Sequence, residues 1–245
     1  MALSAPRRAG NTRRLPLWRS SAALHAAMAV SGLVMILFLL AHAYGNYKVF
    51  AGRETFDGYS HFLLEMGEPI VQYSVVLWVI RIVLIVSVIV HIASATVLWK
   101  RMRRATGGRG STRYRTTKNR RGVQRTYSSF TMRWGGVVIG LFVVYHLLHL
   151  SADNVIHPGG ASTSPYERMT AGFSIWWVLA SYTVALIALG LHLRHGFWSA
   201  LASLGANTSP TRRRQFNVVA SVLAGVITVG FLVPPFSIYF GGVGQ

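Results

Sequence analysis

Four histidines, His42, His91, His146 and His192, lie in four separate apolar runs, each long enough to cross a bilayer. An imidazole in hydrocarbon is costly, and in membrane helices it usually marks function. One on each of four helices is the donor pattern of a redox-centre scaffold, in which facing side chains of a helical bundle hold a prosthetic group.

The elements that must position these rings are visible in the composition. The chain has 245 residues, 52% hydrophobic and 13% charged, and the apolar residues come in blocks rather than at the one-face spacing of a soluble helix. The fold class is an all-α membrane protein of five transmembrane helices, with four forming a cofactor-binding bundle and a fifth beside it. Spans are predicted over 22–44, 70–99, 134–150, 173–193 and 216–236, each near the roughly 20 residues that a bilayer core of about 30 Å requires. The third is short at its outer end unless it runs on through Ser151. The second is long enough to tilt or to extend past the membrane. Residues 1–21 form a basic N-terminal segment, 22–236 a single membrane domain with a basic loop over 100–133, and 237–245 an outer tail.

Charge orients the chain. All six acids, Glu54, Asp57, Glu65, Glu68, Asp153 and Glu167, fall in the first and third loops. Most of the 25 basic residues fall on the other side, before the first span, in the loop over 100–133 and between Arg194 and Arg214. The positive-inside rule makes that side cytoplasmic, with the N-terminus inside and the C-terminus outside. The net charge of +19 is then topology plus attraction to anionic lipid, about 1 kcal/mol per basic group near the surface. Nucleic acid is not an expected partner, although 118–125 resembles a basic patch. Ala41-His42-Ala43 has the small-x-small form of a signal-peptide cleavage site, but cutting there requires a leader far longer than the usual 15–30 residues and removes the first histidine.

With alternate spans running in opposite directions, position converts to depth at about 1.5 Å per residue. His42 and His146 come out near the outer face, His91 and His192 nearer the cytoplasm, some 15 Å away. Two imidazoles facing each other across a bundle are what a b-type haem iron takes as axial ligands, so the expected cofactors are two bis-histidine haems. The competing structural role is interhelical hydrogen bonding, worth about 1 kcal/mol per histidine. His149 is one turn beyond His146 and His195 one turn beyond His192, so each is an alternative ligand, a propionate partner or part of a quinone pocket. His25, His61 and His157 sit at a span entrance or in loops and are read as solvated.

The chain has no cysteine. It therefore holds no complete conventional iron–sulfur cluster, disulfide or c-type haem by itself. A Rieske-type [2Fe-2S] centre stays open if a partner chain supplies two cysteines to a histidine pair. Arg81 is the basic residue well inside a span, level with the outer pair. A buried guanidinium needs an anion, a haem propionate or Glu65 or Glu68, unless the side chain snorkels toward the surface. A reading from another class is a proton- or metal-coupled transporter, against which the spans show no inverted repeat and no Gly/Pro-broken helix pair.

Four stretches resemble a known family, the five-span cytochrome b membrane anchor of succinate dehydrogenase and fumarate reductase, in its b558-type branch. His42-Ala-Tyr-Gly-Asn46, with Phe50-Ala-Gly52 and Tyr59 after it, is similar to that family's first-helix exit. His91-Ile-Ala-Ser-Ala-Thr-Val-Leu98, leading into a basic stretch, is similar to its second, and Tyr145-His-Leu-Leu-His149 to its third. His192-Leu-Arg-His-Gly-Phe-Trp-Ser199 with Leu204-Gly205 is similar to its fourth and is the most specific. The resemblance places His42, His91, His146 and His192 at the family's haem-ligand positions. It implies docking of a flavoprotein and an iron–sulfur subunit on the cytoplasmic face of a bacterial inner membrane, with quinone as substrate. Glu65 and Glu68 are then candidates for an outer quinone or proton site and Arg194, His195 and Trp198 for an inner one, since carboxyl and imidazole groups at an apolar boundary suit proton transfer.

Overall fold

The structure is a computed structural model and describes residues 20–105, 123–151, 155–206 and 208–244. Asp153 and most of the basic loop over 106–122 lie outside the described residues. Among the described residues the fold is entirely helical: α1 Ser21–Tyr47, α2 Arg53–Glu65, α3 Val75–Ala105, α4 Val123–Leu150, α5 Pro165–Phe173, α6 Trp176–Ser203 and α7 Pro210–Gly241, with one turn of 3-10 helix at Lys48–Ala51. Five segments, Ser21–Ala51, Val75–Arg104, Thr131–Leu150, Trp176–Ser203 and Pro210–Gly241, are long and apolar enough to cross a membrane.

Helix ends depart from the apolar blocks in ways that caps and turns explain. The second span begins at Val75 rather than Ile70, because 66–74 is a turn segment containing Pro69 and a left-handed Ser74, φ 63°, and Ile70 is 94% exposed there. Ser209 caps α7, its Oγ accepting the Arg212 N–H at 3.2 Å with Pro210 as first helical residue, so the helix starts well before Phe216 and carries Arg212, Arg213 and Arg214 in its opening turns. The fourth span begins at Trp176, since α5 ends at Phe173 and Ser174 intervenes. The third stops at Leu150 and does not continue through Ser151.

Two short helices, α2 and α5, fall outside the predicted spans. Gly52, at φ 89°, turns the chain into α2 where a Cβ would be strained. Ser164-Pro165-Tyr166-Glu167 opens α5 with the Ser/Glu spacing of a capping box. Here Ser164 Oγ does accept the Glu167 N–H at 3.3 Å, but the Glu167 carboxylate turns away to Ser162 Oγ at 2.5 Å and to Arg53 at 2.6 Å.

Helix α6 packs against α7, α4 and α1, and α1 packs in turn against α3 and α7. The α1–α6–α7 contact is a core of Ile36, Leu186, Leu193, Ala224, Ile227 and Phe231. Small residues let α6 and α7 approach closely, Gly190 lying directly against Thr228. At the end near α2 and α5, Val49, Met169, Phe173, Val178, Tyr182 and Ile238 close a second core between the 3-10 turn, α5, α6 and α7. Helices α3 and α4 are flanking elements, each with most of its apolar surface exposed, as expected of helices that face lipid.

Candidate functional site

The histidines meet in the pairs that depth assigns. His42 and His146 have ring centroids 5.8 Å apart and nearly perpendicular, and His91 and His192 lie 6.2 Å apart at 58°. Each pair joins helices, α1 with α4 and α3 with α6, that are not among the closely packed neighbours. The imidazoles therefore meet between helices whose backbones are not in close contact.

Neighbouring contacts set the depth of each pair. His91 is level with Met28, Ser31 and Gly32 of α1, and His192 with Gly136 of α4. Along α1 the rise from Ser31 to His42 is about 16 Å, and along α4 from Gly136 to His146 about 15 Å. Two independent helices give the same separation between the inner and outer pairs.

At the inner pair, His91 Nδ1 lies 3.0 Å from the Met28 carbonyl oxygen. A carbonyl only accepts, so Nδ1 carries the proton and Nε2 keeps its lone pair. That is the tautomer in which a metal-ligating histidine is normally held, by a backbone acceptor on the far nitrogen. On the facing ring, His192 Nδ1 is buried with no hydrogen-bond partner among the described residues. An unmet buried polar group costs about 1–3 kcal/mol and calls for an explanation by something beyond the packed chain. His91 is thus held in the tautomer whose Nε2 could bind a metal, while the far nitrogen of His192 has no acceptor among the described residues.

The outer pair sits in an aromatic enclosure. His42 stacks on Phe38 at 5.3 Å and meets Phe231 at 5.6 Å, while Phe142 lies 5.8 Å from His146. Behind His146 stands Tyr182, 4% exposed, whose hydroxyl lies 3.2 Å from His146 Nδ1 and 2.9 Å from His149 Nδ1. Tyr182 escaped the sequence reading, although a tyrosine amid an apolar helix is a signal in itself, because a buried phenol needs a partner. The Met28 carbonyl carries no such signal, being backbone.

The remaining candidates are dispersed. Arg81 is exposed, its guanidinium 5.0 Å from the Trp78 ring centroid on the same face of α3. Glu65 is exposed and pairs with His61 at 3.3 Å, and Glu68 is exposed in the turn before α3. Arg194 Nε donates to Ser221 Oγ at 3.1 Å on the surface, and His195 and Trp198 are half-buried beside it on α6. No three metal-ligating side chains converge among the described residues.

Helix α2 and the start of α5 form a separate polar cluster. Asp57 of α2 accepts from Ser164 Oγ at 2.5 Å and from the Tyr166 N–H at 2.9 Å, and Arg53 pairs with Glu167, tying α2 to the start of α5. Arg168, 8% exposed, donates to the Ser162 and Thr163 carbonyls. Burial pushes its guanidinium down from the usual range, and the Asp57 charge opposes that shift.

Comparison of the chain with protein-family models, with curated proteins and with solved structures finds no match in any of the three.

Proposed function

We propose that this chain is the membrane anchor and electron-transfer subunit of a succinate:quinone oxidoreductase. In this reading α1, α3, α4 and α6 form a bundle holding two bis-histidine b-type haems, the inner on His91 and His192, the outer on His42 and His146. The N-terminus is cytoplasmic and the C-terminus outside, as the basic and acidic loops require. The basic face receives a flavoprotein and an iron–sulfur subunit, and quinone is the membrane substrate.

The observation that carries the reading is the meeting of four span histidines in two cross-helix pairs separated by about 16 Å along the helices. A haem iron at each position supplies one-electron redox chemistry, which is what a wire between a soluble donor and a membrane quinone needs. The chain's own part is to hold and to insulate. The Met28 carbonyl orients His91, the Tyr182 hydroxyl holds His146, and Phe38, Phe142 and Phe231 exclude water from the outer pair. Arg194, His195 and Trp198 at the inner end, and Glu65 and Glu68 at the outer, remain the groups proposed to handle quinone and its protons.

Depth favours haem over a shared Rieske-type centre. His91 and His192 lie about 15 Å or more inside the cytoplasmic ends of α3 and α6. A docked partner would have to thread cysteine-bearing backbone into hydrocarbon, where lipid-exposed irregular chain does not occur.

An optical spectrum of the purified chain tests the proposal. Reduction is expected to raise sharp b-type α-bands from two components, of which His91→Ala removes one and His42→Ala the other. A wild-type protein without such bands overturns it.

A further inference from the structure

Two histidines one helical turn apart, His146 and His149, compete for the role of outer ligand, and what covers their far nitrogens distinguishes them. Their Nδ1 atoms share one partner, the buried hydroxyl of Tyr182, at 3.2 and 2.9 Å. That hydroxyl has a single proton. It donates to one imidazole and accepts from the other.

The far nitrogens differ. A Cβ placed on Gly172 would stand 2.5 Å from His149 Nε2, so the end of α5 closes directly over that atom. His149 is 2% exposed, its ring stacked on Tyr145 at 5.6 Å and edge-on to Phe173 at 6.3 Å. One of its nitrogens thus faces Tyr182 and the other is covered by α5. The His146 ring instead meets His42.

We infer that His149 is not an iron ligand but the end of a clamp, in which His146 Nδ1–H donates to the Tyr182 oxygen and the Tyr182 hydroxyl donates to His149 Nδ1. The clamp fixes His146 in the tautomer whose Nε2 lone pair is available. Tyr182 and His149 are positioning residues, acting through His146 rather than on the group it holds. This inference rests on the haem reading given above, which puts the outer ligand at His146, and adds the groups that hold that ring in its ligating tautomer.

An acceptor on the far N–H makes a ligating imidazole more basic, which favours the oxidised metal. Removing the acceptor should therefore raise the reduction potential of the outer centre alone. The experiment is a redox titration of the purified full chain, followed at the α-band, with His42→Ala identifying the outer component. Tyr182→Phe keeps the ring that packs on Phe142 and Phe173 at 4.8 and 4.7 Å and is expected to keep two haems per chain. The outer midpoint should move upward and the inner one stay in place. His149→Gln is expected to keep both haems as well, with a smaller upward shift of the same component.

Loss of the outer haem in His149→Gln overturns the inference, because His149 would then be the ligand. Unmoved potentials in Tyr182→Phe overturn it too. Should Tyr182→Phe not accumulate, the His149→Gln titration decides alone, since an unmoved outer potential there refutes the clamp. A wild-type chain without haem bands refutes the underlying reading and the clamp with it, whereas two bands with unmoved variants refute only the clamp.

Discussion

Arg81 shows how far a residue's type can mislead about its neighbours. A guanidinium level with the outer histidines invites a buried anion, yet Arg81 lies on the exposed face of α3 with its charge over Trp78 at 5.0 Å. Trp78 is the ring partner the structure gives it. Arg81→Gln is therefore expected to leave haem content and both midpoint potentials unchanged, and loss of one haem in the purified variant would show that the guanidinium serves the cofactor. The histidine pairs, by contrast, were legible, because a ring nitrogen in hydrocarbon is costly and depth follows from counting residues along a helix. What counting omits is azimuth. Arg81 and His91 project from α3 in different directions, and only the packing of α1 against α3 decides which direction is interior. Tyr182 was missed for a related reason, since within an apolar run its ring reads as bulk until its hydroxyl is seen between two imidazoles.

At the scale of elements, the apolar blocks locate all five long helices but not their ends. Backbone hydrogen bonding continues a helix wherever caps and dihedrals permit, whatever the side chains, so α3 runs past Trp99 to Ala105 and α7 opens on arginines. The capping spacing at Ser164 and Glu167 was available as a sign of α5, and the amphipathic stretch 53–65 as a sign of α2, but both are short beside the spans. Helix contacts themselves depend on small residues. Gly190 of α6 and Thr228 of α7 touch so closely that a Cβ on Gly190 would collide with Thr228 Oγ1, whose proton is already given to the Ala224 carbonyl at 2.7 Å. Gly190→Ala is expected to cost about 1–3 kcal/mol by overpacking, or roughly 2–12 °C in melting temperature for a chain of this size. Adding Thr228→Ala removes the colliding oxygen and should recover most of that loss. Equal melting temperatures for the wild type and the single variant would mean that the helices are not held this closely.

For the whole molecule, charge asymmetry makes the strongest claim about orientation, because lysine and arginine near span ends resist transfer while Asp and Glu contribute little. The absence of cysteine turns that claim into a direct measurement. Ala161 is exposed in the loop before α5, and Thr208 is exposed before the basic start of α7, at opposite ends of α6. A single cysteine at either place is the chain's only thiol. With the N-terminus cytoplasmic, Ala161→Cys is expected to react in intact cells with a maleimide that cannot cross the membrane, and Thr208→Cys to react only after the membrane is opened. The site lies on this same axis, the inner pair facing the basic side and the outer pair the α2–α5 side. The reverse labelling pattern would place His42 and His146, not His91 and His192, nearest to any cytoplasmic electron donor, and the order of transfer proposed above would have to run the other way.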